Sequence, residues 1–255
     1  MRTPICVPGR RASRMMSEPA GLSKRALRFL EQSSRRPAVD QSPLSSIVID
    51  TAGLMSEAFD LDEIRRLIHG YYRGYEGRSL DVAGGPLSGG MILGCGVNPR
   101  LRRSWDGVVM FRAARHRDAQ CDIVISENGA FGCSWGDEFH VLFDSVEKFI
   151  EDSAVWEEFR GWHYAARLDG ELDGLLGLIS EVALDPILSE GSITWWIGRN
   201  IAIGSHPYLN PARSANNQST VLVRDAEDVP GLIEAMRESG FSLPVGMRKA
   251  MGVVG

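Results

Sequence analysis

Between residues 120 and 152 the chain alternates so regularly that its pairing can be written down from the sequence. The runs Cys121-Asp122-Ile123-Val124-Ile125, Phe131-Gly132-Cys133-Ser134-Trp135 and Phe139-His140-Val141-Leu142-Phe143 each repeat with period two. They are separated by Glu127-Asn128-Gly129 and Gly136-Asp137-Glu138. Three-residue loops would set Ile125 against Phe131, Ile123 against Cys133 and Cys121 against Trp135. In the second pair they would set Trp135 against Phe139, Cys133 against Val141 and Phe131 against Phe143. Every inward position is then apolar, and Gly129 supplies the left-handed residue that such a loop needs. This predicts a one-sided antiparallel meander, with an amphipathic helix opening at Asp144.

The other periodicities extend this to an α+β chain: an antiparallel β-meander with flanking helices, followed by a second, smaller α/β segment. Ser23 caps a short helix to about Gln32, with Leu22 and Leu27 as a staple. Asp60 and Glu63 form a capping box ahead of Leu61, Ile64, Ile68, Tyr71 and Tyr75 at helical spacing. Ser46–Ile49 is a candidate strand. The interval from Gly74 to Gly96 holds eight glycines in 23 residues and reads as loop, with Met91-Ile92-Leu93 as a short strand inside it. Val108–Phe111 opens the meander. Asp144 and Glu147 form a second capping box, and Ser153 restarts a helix towards His163. Beyond this, Leu172–Ile179 is helical, strands lie at 193–197, 201–203 and 220–223, and a final helix from about Asp228 is closed by Gly240. The expected organisation is a basic, loosely attached arm at 1–44, an α+β domain at 45–168, and a second segment at 169–255 packed on the first. Met15 and Met16 are candidate start sites, and a mitochondrial leader is the alternative reading of the acid-poor first 17 residues.

Composition narrows the chemistry. At 44% hydrophobic and 24% charged, the 255 residues have the balance of an ordinary globular chain. No apolar run approaches the roughly 20 residues that span a bilayer, so no membrane role is expected. Four scattered cysteines make no disulfide framework, which suits a cytoplasmic location. The net charge of −5 conceals an asymmetry: residues 1–44 carry nine Arg or Lys against three acids, leaving 19 basic against 30 acidic residues in the rest. An acidic body argues against a nucleic-acid partner and for a protein partner with a basic surface.

Motifs for catalysis, metals and cofactors do not assemble. Asp122, Ser134 and His140 fall side by side on the outer face, but a triad needs the histidine in the middle. Gly94-Cys95-Gly96 is followed by Pro99 where a dinucleotide fingerprint needs glycine, and Gly84–Gly90 lacks the Lys-Ser/Thr of a phosphate loop. Five histidines and four cysteines show no metal-ligand spacing. The strongest charge feature is residues 137–158, with eight acids against Lys148 alone. Glu147, Glu151 and Glu158 recur at four- and seven-residue spacing and can share a helix face. The expected partner-binding residues are Asp137, Glu138, Glu147, Glu151, Asp152, Glu157 and Glu158, with Trp196 of the Trp195-Trp196 pair as an interface anchor. No catalytic residue, cofactor or metal is assigned.

The meander ending Phe139-His140-Val141-Leu142-Phe143, followed by Asp144-Ser145-Val146-Glu147-Lys148-Phe149-Ile150, resembles the closing section of the SUKH superfamily. In that family a hairpin around a turn glycine leads to a small-residue cap and a helix with Phe followed by an aliphatic residue. Gly129, Ser145, Phe149 and Ile150 stand at those positions. The resemblance implies an α+β fold and the role of an immunity protein, which binds and neutralises a bacterial toxin without catalysis. Two other classes stay open: an enzyme with its site in the 74–96 loop near Cys95, and an assembly protein using Trp196 and the basic arm.

Overall fold

The computed structural model describes residues 21–35, 60–94, 100–118, 120–169, 172–179, 181–189, 191–207 and 218–241. Ser46–Ile49, Cys95 and the first 20 residues lie outside this set. Period-two runs become strands and period-3.6 runs become helices along most of it. In chain order these are α1 (Lys24–Gln32), β1 (Ser34–Arg35), α2 (Leu61–Tyr75), β2 (Arg78–Val82), β3 (Gly89–Leu93), β4 (Leu101–Arg103) and β5 (Val109–His116). The meander continues with β6 (Asp122–Ser126), β7 (Phe131–Trp135) and β8 (Glu138–Phe143), then α3 (Val146–Glu158). The remainder is β9 (His163–Asp169), α4 (Leu172–Leu178), β10 (Ala183–Leu184), β11 (Thr194–Ile197), β12 (Ile201–His206), β13 (Gln218–Val223) and α5 (Asp228–Glu238). The chain is α+β, with two antiparallel sheets. The first runs β1-β2-β3-β5-β6-β7-β8, with β4 also on β5; the second runs β10-β11-β12-β13-β9.

The first hairpin of the meander pairs as its alternation predicts, with Ile125 opposite Phe131 and Ile123 opposite Cys133, and Gly129 sits at φ +89°. The second does not. Its turn has two residues, so Trp135 faces Glu138, Ser134 faces Phe139 and Cys133 faces His140. A bulge between Phe131 and Gly132 then restores Phe131 opposite Phe143. Gly132 permits this, because a β-carbon there would lie 2.0 Å from the His140 carbonyl oxygen. The slip turns Val141 outward and leaves Trp135 exposed at the strand end.

Three further expectations need correction. The glycine-rich interval forms the β2–β3 hairpin rather than an open loop. The capping residue of α3 is Ser145, whose Oγ accepts from Lys148 N–H, and the helix runs on through Ser153 without restarting. The arm drawn at 1–44 is docked over 24–32: Ala26, Phe29 and Leu30 are buried against the core, which α3 shares. Here the Ser23 cap holds, its Oγ accepting from Ala26 N–H at 3.1 Å, but the apolar stripe has a tertiary partner that the sequence does not reveal.

α3 touches both sheets. Phe149 stacks on Phe131 of β7 at 4.7 Å, while Trp156 meets Trp195 of β11 edge-on at 5.0 Å. The second sheet therefore has two packed faces. Ile193, Trp195, Ala202 and Leu222 join the core built by α3 and the first sheet. Ala166, Leu168, Ile203 and Val221 join a separate core with Leu175 of α4 and Met236 of α5.

Cys121 and Cys133 are free thiols, and burial pushes the Cys133 thiol up to about 12. A raised value favours the neutral thiol in the fold, so this contribution is complete below about pH 9 and is lost as pH rises towards 12. Between pH 8 and 10.5 the native protein is expected to lose about 1–2 kcal/mol more than a Cys133→Val variant. Urea midpoints at the two pH values measure the difference; equal losses would place the thiol in water.

Candidate functional site

A cavity lies where the β2–β3 turn, the end of α3 and the inner face of the second sheet converge. It holds about 420 Å³. Strand register supplies its sheet wall: Arg167, Thr220, Gly204 and Trp195 form one cross-strand row, and Tyr164, Leu222, Ala202 and Ile197 form the next. His206 and Gln218 are paired beside them. The opposite wall is Trp156, whose indole lies flat on Gly84 and Gly85. A β-carbon at Gly84 would fall 2.2 Å from that ring. Two of the glycines that read as flexibility, Gly84 and Gly85, are thus a close-approach surface for one tryptophan.

Behind the cavity is a buried polar cluster. Asp152 Oδ1 accepts from Trp195 Nε1–H at 2.7 Å and lies 3.0 Å from His206 Nε2. Asp152 and His206 are 2% and 4% exposed. The His206 ring lies against Trp156 at 5.6 Å and edge-on to Trp195 at 5.3 Å. An aspartate fixing one ring nitrogen is the arrangement that orients a general base. Beside it, however, the described residues of the cavity lining include no serine or cysteine, and the one hydroxyl-bearing aliphatic residue among them is Thr220. Trp156 Nε1–H is buried with no hydrogen-bond partner. Among the described residues no group of three His, Cys, Asp or Glu side chains could hold a metal ion.

The acidic segment is divided rather than gathered on one face. Glu151 is buried, and its carboxylate accepts from Ser23 N–H at 2.6 Å and Ser23 Oγ–H at 2.7 Å. Asp152 is committed to Trp195 and His206. Glu147 accepts from Tyr75 Oη–H at 3.1 Å. Glu157 is held by Arg160, and Glu158 lies within 3.6–3.7 Å of Arg25 and Arg28 on α1. Much of the basic surface expected of a partner is therefore the chain's own N-terminal helix. The physical reason is two-sided burial: Phe149, Ile150, Ala154, Val155 and Trp156 point all round α3, so it has no broad solvated face. Trp196 is half-buried against the α4–α5 core and is not an exposed anchor.

Asp137 and Glu138 alone among the expected residues sit beside exposed apolar surface. The first sheet curls so that Trp105 N–H, in the β4–β5 turn, donates to the Asp137 carbonyl in the β7–β8 turn at 2.9 Å. This sets the turn that carries Trp105, 76% exposed, beside the turn that follows Trp135, 39% exposed, while Val141, 45% exposed, lies on the other face of β8. Asp106, Asp137 and Glu138 border them, and the nearby Arg102 is held by Asp122 at 2.9 Å. The sequence reading missed Trp105 because a lone tryptophan in a turn has no periodicity. The two-residue turn that exposes Trp135 was legible only as a Gly-Asp pair.

No family model, curated protein or solved structure matches this chain. Among the described residues no helix is long and apolar enough to cross a membrane.

Proposed function

We propose that this chain is a non-catalytic protein-binding protein, similar in role to an immunity protein of the SUKH type, and that it meets a basic partner through the joined turns of its first sheet. The observation that carries the reading is the pair of exposed tryptophans, Trp105 and Trp135, set beside Asp106, Asp137 and Glu138. Exposed indoles are the side chains most enriched among residues that dominate binding energy, and rim carboxylates steer a basic partner and reject an acidic one. The mechanism is steric and electrostatic blocking, and it uses no cofactor. The bacterial immunity role and the partner's basic character belong to this proposal.

The wild-type protein and a Trp105→Ser/Trp135→Ser variant, immobilised side by side, test it on lysate of the source cell. A basic protein should be retained by the wild type, weakened by salt, and at least about tenfold depleted on the variant, since each such anchor contributes about 2 kcal/mol or more. Equal retention on both, or a partner indifferent to salt, sinks the reading.

A further inference from the structure

We propose that Cys121 and Cys133 form a thiol pair that a small-molecule disulfide converts into a reversible cross-strand bridge. The register of β6 against β7 sets Asp122 opposite Ser134 and Ile123 opposite Cys133. Cys121 therefore lies diagonally across from Cys133 on the same inward face, packed against the core that Cys133 joins. The two thiols are hydrogen-bonded to each other, and Cys133 is also bonded to the Trp135 side chain. Contact between the sulfurs is the first requirement of a bridge. The second is closer β-carbons, about 3.5–4.5 Å apart in a disulfide against roughly 7 Å for average diagonal neighbours. Cys121 can supply this closure, because it stands one residue before the first rung of the ladder, Asp122 with Ser134. Moving it breaks none of the β6–β7 pairs.

Exposure orders the chemistry. Cys133 is fully buried, whereas Cys121 is half-buried and is the one of the two that a solute can touch. In the first step the Cys121 thiolate attacks one sulfur of the small disulfide, forming a mixed disulfide and expelling one thiolate. In the second the Cys133 thiolate attacks the Cys121 sulfur and expels the other. Two protein thiols are thereby oxidised by two electrons to one disulfide, and the small disulfide is reduced to two thiols, which take up the two protons. Burial raises both cysteines above their ordinary values, so little of either is thiolate at neutral pH and the first step is slow. The second step is intramolecular, between sulfurs already in contact, and gains the effective concentration that proximity gives. The pair thus answers a sustained oxidising poise and ignores a short pulse.

Incubation of the native full chain with glutathione disulfide tests this, in a Cys6→Ser/Cys95→Ser parent that leaves this pair as its only thiols. Peptide mapping needs a glutamate-specific protease, since no Lys or Arg lies between residues 118 and 147 while Glu127 separates the two cysteines. The peptides carrying Cys121 and Cys133 should be recovered joined, two hydrogens lighter than their sum, and dithiothreitol should part them. Adding Cys133→Ser should trap the Cys121–glutathione mixed disulfide, because nothing is left to resolve it. Adding Cys121→Ser instead should leave Cys133 at least about tenfold slower to take up glutathione than Cys121 is in the trapped variant, since its sulfur is buried. Three results each overturn the proposal: a glutathione adduct that stays on Cys121 of the parent beside a free Cys133, equal uptake at the two cysteines in the single variants, or two thiols still free when a urea-unfolded sample is fully converted.

Discussion

Asp152→Ala should be among the most damaging single substitutions in this chain, at a cost of about 3–5 kcal/mol. Removing the carboxylate leaves Trp195 Nε1–H and His206 Nε2 facing each other's apolar neighbours with no acceptor between them. Water has little access to either, since Trp195 is fully buried and His206 is 4% exposed. Against a total stability of roughly 5–15 kcal/mol, the loss should lower Tm by about 10 °C or more. Glu158→Ala, in the same acidic helix, removes only a partly exposed ion pair with Arg25 and Arg28 and should cost less than about 1 kcal/mol. Asp152→Asn should fall between, because an amide oxygen still accepts from Trp195. Urea unfolding of the three variants gives the ranking. If Asp152→Ala and Glu158→Ala cost the same small amount, both acids are solvated and the two-sided helix is wrong.

The second large effect lies at Gly84, where only a hydrogen atom fits beneath the Trp156 indole. A methyl group there would sit 2.2 Å from Cε3, 2.5 Å from Cδ2 and 2.6 Å from Cζ3 of the ring. Gly84→Ala should destabilise by about 3 kcal/mol, the upper end for inserting one carbon into a packed site. Trp156→Leu alone should also cost about 3 kcal/mol, through the cavity that it opens. Combined, the two should cost less than their sum by at least about 1 kcal/mol, because the smaller side chain relieves the collision. Gly70 is the contrasting case. It lies within α2 with nothing within 4 Å of a β-carbon, so Gly70→Ala should stabilise by about 0.5–1 kcal/mol. Additive costs at Gly84 and Trp156 would show that the turn moves aside.

Local rules and the fold agree where a segment's neighbours are close in sequence. The capping of α1 by Ser23 and of α2 by Asp60, the four- and seven-residue spacing of Ile64, Ile68 and Tyr75, and the first meander hairpin all follow from short-range geometry. Agreement fails where a distant element decides. Whether β8 takes a two- or three-residue turn shifts every pairing by one, and the bulge that corrects the register depends on Gly132 against His140, eight residues away. For the acids of α3, spacing alone suggested a charged face. Yet apolar residues on all sides of that helix, from Phe149 to Trp156, already signalled burial on two sides. The cavity was the least legible feature. Its described walls come from residues 83–86, 156–167, 206–207 and 218–222, and no local pattern links a glycine turn to a tryptophan some 70 positions further on.

Time enters through the docking of α1. Ser23 is bonded to Glu151 across 128 residues and Arg25 to Asp185 across 160. At a synthesis rate of about 5–20 residues per second, α1 leaves the ribosome roughly 10–30 s before Asp185 is made. Until α3 is made, Phe29 and Leu30 lack the helix on which α1 docks, and α1 itself, nine residues long, is too short to hold itself together in water. The N-terminal segment is made first and finished last. Its protection on the ribosome falls to whatever binds exposed apolar chain, and pulse-labelled hydrogen exchange during refolding should find its amides among the slowest to close.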